Sequence, residues 1–260
     1  MSPLIRAVVL SVVCLVAVPA AWGQQDDVNP DRPGVSTSPQ TVTRGAFQLE
    51  TGVDYSRERS AGEPNEHRTA VAALARYGLL DGVELRLALE AIVFLRGPDD
   101  ATNVGDLLLA AKIRVLEGQD GSARPAFSLL PTIKLPTAPD PIGSEKVDIS
   151  LAALMGWSFG RLSLTGNAGI GAIGQDNGYL VQGQVIGAVA WEAIDKLSLL
   201  GEVFWNSPEE RHGDDFVGAT AGVSYRVTRD VAVDAAVIVS LAGRGPDYRI
   251  QSGITVRFWP

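Results

Sequence analysis

Cysteine is almost absent from this 260-residue chain, and the single one, Cys14, lies in an apolar run near the start. If that run is removed on export, the mature chain has no thiol, which excludes disulfides, thiolate metal ligands and cysteine nucleophiles. Histidine is nearly as scarce: His67 and His212 stand far apart. A metal centre built on His or Cys is therefore not expected, and no cofactor is implied. Basic charge is in deficit, with 22 Lys and Arg against 30 Asp and Glu, a net charge of −8. No basic cluster offsets phosphate repulsion, so nucleic acid is not an expected partner. Past the first residues no apolar run reaches the roughly 18 residues of a membrane-spanning helix. Helical periodicity is missing too. What is there is 46% hydrophobic residues and 28 glycines, a β composition.

Residues 1–23 read as a cleaved signal peptide. Arg6 and the α-amino group supply the positive start, and Ala7 to Pro19 the short apolar core. Ala21-Trp22-Gly23 offers small residues at the cut, with Val18 to Ala20 as a second place for it. The polar, Pro-rich stretch QQDDVNPDRPG follows and does not continue a helix.

From Phe47 onward the chain alternates with period two. Phe47, Leu49, Thr51, Val53 and Tyr55 share one face, and Gln48, Glu50, Gly52, Asp54 and Ser56 the other. Val83, Leu85, Leu87, Leu89, Ala91 and Val93 repeat the pattern against Glu84, Arg86 and Glu90. Twelve strands are predicted near 46–56, 67–77, 83–94, 105–116, 125–135, 146–157, 161–172, 179–191, 197–206, 215–227, 231–241 and 248–258. Most exceed the usual soluble strand of about 5–6 residues and suit a tilted strand crossing a bilayer, about 9–11 residues. Short turns such as GLLDG and TRD alternate with longer polar loops such as RERSAGEPNE and PTAPDPIGSE. EGQDGSAR, at 117–124, is long where a short turn is due, and Pro131 deletes a ladder donor inside strand five.

The aromatic residues fall in two bands. Phe47, Tyr77, Phe127, Trp157, Trp191, Tyr225 and Phe258 sit near the short-turn end, and Tyr55, Tyr179, Trp205 and Tyr248 near the long-loop end. Such girdles belong to the two interfaces of a membrane. A soluble sandwich would gather its aromatics in mid-strand. The expected fold is all-β: a transmembrane antiparallel up-and-down barrel of about twelve strands, of the bacterial outer-membrane type, over residues 46–260. Its surroundings are the outer-membrane lipid of a Gram-negative bacterium. In the last strand, Gln251, Gly253, Val256 and Phe258 resemble the C-terminal signal read by the outer-membrane assembly machinery, although Trp259 and Pro260 follow the final aromatic.

Twelve strands are too few for a wide pore and enough for a narrow passage or a pocket for one small solute. The predicted lumen-lining charges are Glu50, Asp54, Arg76, Glu84, Arg86, Glu90, Asp106, Lys112, Arg114, Lys134, Asp148, Glu202, Asp234, Arg249 and Arg257. Most lie on strands one to six and twelve, which are contiguous in a closed barrel. Strands seven to ten bring mainly Ser163, Thr165, Asn167, Gln182, Gln184, Thr220 and Ser224, with Leu200, Phe204 and Phe216. The charges either orient a passing solute or bridge one another and fill the barrel. Residues 24–45 carry no strand pattern. They are expected in the periplasm, with a partial plug in the lumen as the alternative.

Other chemical patterns carry little. Gly169 to Gly174 matches G-x-G-x-x-G, but a turn and another β pattern follow in place of a helix. An outer-membrane lipid hydrolase needs His and Ser together at the lipid face, and His67-Arg68-Thr69 offers Thr instead. No catalytic residue is assigned and no enzyme is expected. A lipid-acting barrel enzyme centred on His67 is the alternative function, and a non-conducting structural barrel the third.

Asp31-Arg32-Pro33-Gly34, Ser38-Pro39, Thr41-Val42, Gly45 and Phe47-Gln48-Leu49-Glu50 resemble the outer-membrane transporter family named for the meta-pathway of phenol degradation. ARYGLLDGVELRL (75–87), GDLLLAAKIRVLE (105–117) and SLLPTIKLPT (128–137) are similar to it as well. The resemblance implies a β-barrel linked to uptake of a small solute, often aromatic or amphipathic. It supplies no binding residues.

Overall fold

The computed structural model describes residues 27–59, 64–209, 211 and 213–259. The signal peptide expected over residues 1–23, and His212, lie outside the described residues.

Twelve strands form the wall: β1 Phe47–Glu58, β2 Glu66–Leu80, β3 Val83–Arg96, β4 Leu107–Leu116, β5 Ala126–Leu135, β6 Asp148–Phe159, β7 Leu162–Gln175, β8 Gly178–Ile194, β9 Leu197–Asn206, β10 Phe216–Thr228, β11 Val231–Gly243 and β12 Tyr248–Phe258. Each pairs antiparallel with its neighbours in sequence, and β1 pairs with β12 from Phe47↔Phe258 to Arg57↔Tyr248, which closes the barrel. No strand of the wall is left with an open edge, so its backbone groups are satisfied in lipid. A three-residue strand, Ala101–Asn103, folds back on Val93–Leu95 of β3 in the loop above.

The polarity is that of an inverted protein. Val53, Leu87, Ile170, Val185, Val203 and Ile254 are exposed on the outside, while Arg76, Glu84 and Lys112 are fully buried inside. Lipid on the outside and charge inside is the arrangement of an outer-membrane barrel. The tight turns at Gly82 (φ +77°) and Gly160 (φ +61°) use the left-handed region that glycine enters freely. The long connection 117–125 does lie at the short-turn end. It is pinned there by Gly121 N–H donating to Ser158 O (2.8 Å) and Gly160 N–H to Asp120 Oδ1 (3.0 Å).

Two details of the strand reading need correction. β3 does not keep one alternation to its end. Val71 faces Ile92 and Ala72 faces Glu90, so Ala91 is an extra residue in the ladder. One inserted residue exchanges the two faces beyond it. Val93, expected outward, is fully buried in the lumen, and Phe94 faces the lipid. Pro131 is no obstacle to closure. Ala110↔Thr132 and Ile113↔Leu129 flank a gap in the β4–β5 register, and Pro131 falls in that gap, so its missing donor breaks no bond there.

Candidate functional site

Residues 28–45 fold into the lumen, not below it as the first expectation had it. The segment starts at the short-turn end, where Val28 N–H donates to Arg229 O (2.7 Å). It rises to a bend at residues 33–35, crosses to the other wall, and returns to the base of β1. There Gly45 N–H donates to Gly78 O (2.7 Å). Pro30, Pro33 and Pro39 lack amide donors, which lowers the number of groups a segment without a ladder must satisfy.

The inward side chains take up the segment's backbone. Gly34 N–H donates to Gln251 Oε1 (3.0 Å), and Val35 and Ser36 N–H to the Glu202 carboxylate (2.9 and 3.0 Å), which the Ser36 hydroxyl also reaches. Thr37 and Asn167 exchange two bonds, at 2.7 and 2.9 Å, as two strands would. Ser128 Oγ donates to Pro39 O, Lys112 Nζ to Gln40 O (3.0 Å), and Val42 N–H to Glu84 Oε2 (2.7 Å). Gly34 has φ +101°, and a Cβ there would lie 2.5 Å from Glu202, so only glycine permits this approach. Val35 packs on the buried cluster Ile186, Phe204 and Ile238, beside Phe216.

Asp31 is the charged anchor. Its carboxylate meets Arg86, Lys112 (3.1 Å) and, more distantly, Arg76 (3.5 Å). Its own N–H reaches the Glu50 carboxylate at 3.1 Å. Arg76 in turn binds Glu50 and Glu84, both at 2.7 Å. Burial alone would push the Asp31 carboxyl up. The charges of Arg76, Lys112 and Arg86 outweigh it and hold the group well below the usual carboxylate range. The segment thus matches the lumen in both halves: Asp31 faces the charged wall and Val35 the apolar one.

The predicted lumen residues fall into three groups. Glu50, Arg76, Glu84, Arg86, Lys112, Arg114 and Glu202 contact the segment, as do Asp54 and Asp234, which face its Arg32. Glu90 pairs with Arg68, Lys134 bridges Asp106 and Asp148, and Arg249 borders a cavity at the long-loop end. Arg257 sits at the opposite rim, bound to Asp230 at 2.7 Å and lying 4.6 Å from the ring centre of Trp259. Trp259 Nε1–H donates to the same Asp230 (2.9 Å). The resemblance to an assembly signal concealed other roles. Gln251 bonds the segment, and Gly253 leaves space for Arg32, while Phe258 faces outward against Phe47, ring centres 6.0 Å apart. Asp31, Arg32 and Val35 were missing from the predicted site. An acid, an arginine and an apolar residue in an unpatterned stretch give no period to read.

Two cavities lie on either side of the segment, each of about 590 Å³. The one at the long-loop end is floored by Val35, Phe204 and Phe216 and walled by Arg68, Gln184 and Arg249. The one at the short-turn end is lined by Gln119, Ser163, Ser198 and Ser224 with the underside of the segment. Gly169 to Gly174, the dinucleotide-like pattern, lies inside β7, with no helix to receive a pyrophosphate. Among the described residues, no group of three or more His, Cys, Asp and Glu is placed to hold a metal ion.

A family model described as "Putative MetA-pathway of phenol degradation" matches residues 30–258. The chain belongs to that family. The match begins at Pro30, so it takes in the lumenal segment along with the barrel. Among solved structures, the COG4313 outer membrane channel from Pseudomonas putida F1 superposes with a TM-score of 0.64 at 15% identity, over 87% of this chain and 100% of that one. The NanC porin superposes with a TM-score of 0.53 at 9% identity, over 81% and 98%. At these identities the likeness is one of fold. It is the fold of Gram-negative outer-membrane barrels, and the outer membrane is where this member of the family resides. No curated protein matches the chain.

Proposed function

We propose that the protein is an outer-membrane channel for a small solute, closed in its resting form by residues 28–45. The observation that carries this reading is the position of the segment between two polar cavities that face opposite ends of the barrel. A structural barrel has no use for cavities on both sides of a detachable strap. The segment is held mainly by side chains; its backbone bonds to the wall, from Val28 to Arg229 and from Gly45 to Gly78 beside the Arg44–Gly78 bridge, are too few for a sheet ladder. It can therefore leave without breaking the wall. The COG4313 relative is named a channel, which agrees with this reading.

The lipid-enzyme alternative finds less support at His67. Its Nδ1 is 2.8 Å from Tyr55 Oη, and its register partners on the flanking strands are Arg57 and Arg96. None of these neighbours is a serine that could act as nucleophile. The C-terminal pattern ending at Phe258 is retained as the proposed contact with the assembly machinery.

Deleting residues 27–45 tests the channel reading in a planar bilayer. The intact chain should show rare or no openings and the deletion steady steps. Both should run at different apparent mass unboiled and boiled on a gel, the mark of a folded barrel. A folded deletion variant that stays non-conducting would refute it.

A further inference from the structure

A third cavity, of about 470 Å³, lies in the lumen between the segment and the walls of β2, β3 and β4. Ala72, Leu74, Ala88, Leu108 and Ile142 give it apolar sides. Most charges on its rim are fully engaged. Glu50 accepts from Arg76, Gln48 and the Asp31 amide. Glu90 is paired with Arg68, and Asp106 accepts from the amides of Thr137 and Ala138. Lys134 Nζ lies 2.6 Å from both Asp148 and Ser144.

Arg32 differs. Its guanidinium reaches Asp234 only at 3.4 Å and Asp54 at 3.7 Å, and its Nε is buried without a hydrogen-bond partner. Bonds of this charge-assisted kind ordinarily measure about 2.7–2.9 Å. The side chain lies in a slot left by Gly52 and Gly253, where a Cβ would come within 2.6 Å of its nitrogens. It borders this cavity and the one at the short-turn end.

We propose that this cavity binds a small apolar monocarboxylate, its carboxylate forked on Arg32 and its hydrocarbon part against Ala72, Leu74, Ala88 and Leu108. This rests on the channel reading and adds the class of solute. A planar guanidinium with incomplete bonding is matched by a carboxylate, which accepts two parallel N–H groups. One negative charge is the limit: the cations on the rim are Arg32 and Lys134, Lys134 is taken by Asp106 and Asp148, and Asp54 and Asp234 at Arg32 add to Glu50, Glu90 and Asp106 around the site. A dianion would bring a charge that nothing there compensates. Because Arg32 belongs to the segment that closes the lumen, a ligand that draws it from Asp54 and Asp234 couples occupancy to opening.

Calorimetric titration of the refolded protein with cyclohexanecarboxylate, its neutral carboxamide and the 1,2-dicarboxylate tests the proposal. The monocarboxylate should bind saturably, the carboxamide at least about tenfold more weakly, as loss of a charged hydrogen bond implies, and the dicarboxylate more weakly as well, because its second charge meets Glu50, Glu90 and Asp106. Arg32→Gln should lower monocarboxylate affinity to that of the carboxamide. Ala88→Leu, which fills the cavity without touching charge, should weaken monocarboxylate binding in its own right. Equal binding of acid and amide by the unaltered protein, unchanged affinity in Arg32→Gln, or no saturable binding would overturn it. The deletion experiment needs no solute. Conductance there with no binding here would remove the solute class and leave the channel.

Discussion

Replacing Asp31 by Asn removes one charge and almost no volume. The cluster it belongs to is balanced: Asp31, Glu50 and Glu84 face Arg76, Arg86 and Lys112. Without Asp31 one positive charge is uncompensated. Arg76 keeps Glu50 and Glu84, and Arg86 keeps Glu84 at 3.3 Å. Lys112 is fully buried and keeps Gln40 O, a neutral oxygen, as its hydrogen-bond partner. Breaking one partner out of a buried pair costs about 3–5 kcal/mol. The lower figure applies, since two of the three cations retain partners. About 3 kcal/mol is roughly a hundredfold in an equilibrium constant. The wall ladders are untouched, and Lys112 regains water once the segment leaves, so the cost falls on the docked state. Asp31→Asn should therefore raise single-channel open probability by about two orders of magnitude while the heat-dependent gel shift stays unchanged. Adding Lys112→Gln restores the charge balance and should return much of the closure, which the double-mutant cycle reads as a coupling. An Asp31→Asn channel as closed as the parent, or a double variant no less open than Asp31→Asn alone, would refute the argument.

Two further tests bear on the segment. A Cβ on Gly78 would stand 2.1 Å from Thr43 O, a backbone atom with little freedom to yield. Gly78→Ala should loosen residues 43–45, at a cost of about 1–3 kcal/mol for overpacking, and increase their cleavage by an added protease; unaltered cleavage would show the contact to be soft. Acid should not open the channel through Asp31. A depressed carboxyl contributes docking stability above its ordinary pKa of about 3.9, lost only as pH falls through the lower docked value. Conductance should stay low from pH 7 to about pH 5 on that account; opening within this window would move the titrating anchor elsewhere.

The wall was legible because each strand faces lipid on one side and charge on the other, and that contrast recurs every second residue. Where it fades, reading fails. Ala91-Ile92-Val93-Phe94-Leu95 is apolar throughout, so nothing in it marks the extra residue that turns Val93 inward and Phe94 outward. Arg86 and Lys112 were recognisable as inward charges, yet not as partners of Asp31. They are 55 and 81 residues away from it, and charges of both signs abound on neighbouring strands.

By itself the sequence determined a closed β wall, the aromatic bands at its two ends and the charge on its inner face, since each is a local repeat written into one strand at a time. The place of residues 28–45 was decided only by closure. The barrel brings Asn167 of β7, Glu202 of β9 and Gln251 of β12 around four consecutive amides, those of Gly34 to Thr37. Donors without a ladder of their own must find acceptors somewhere, and no local pattern records which distant strands supply them.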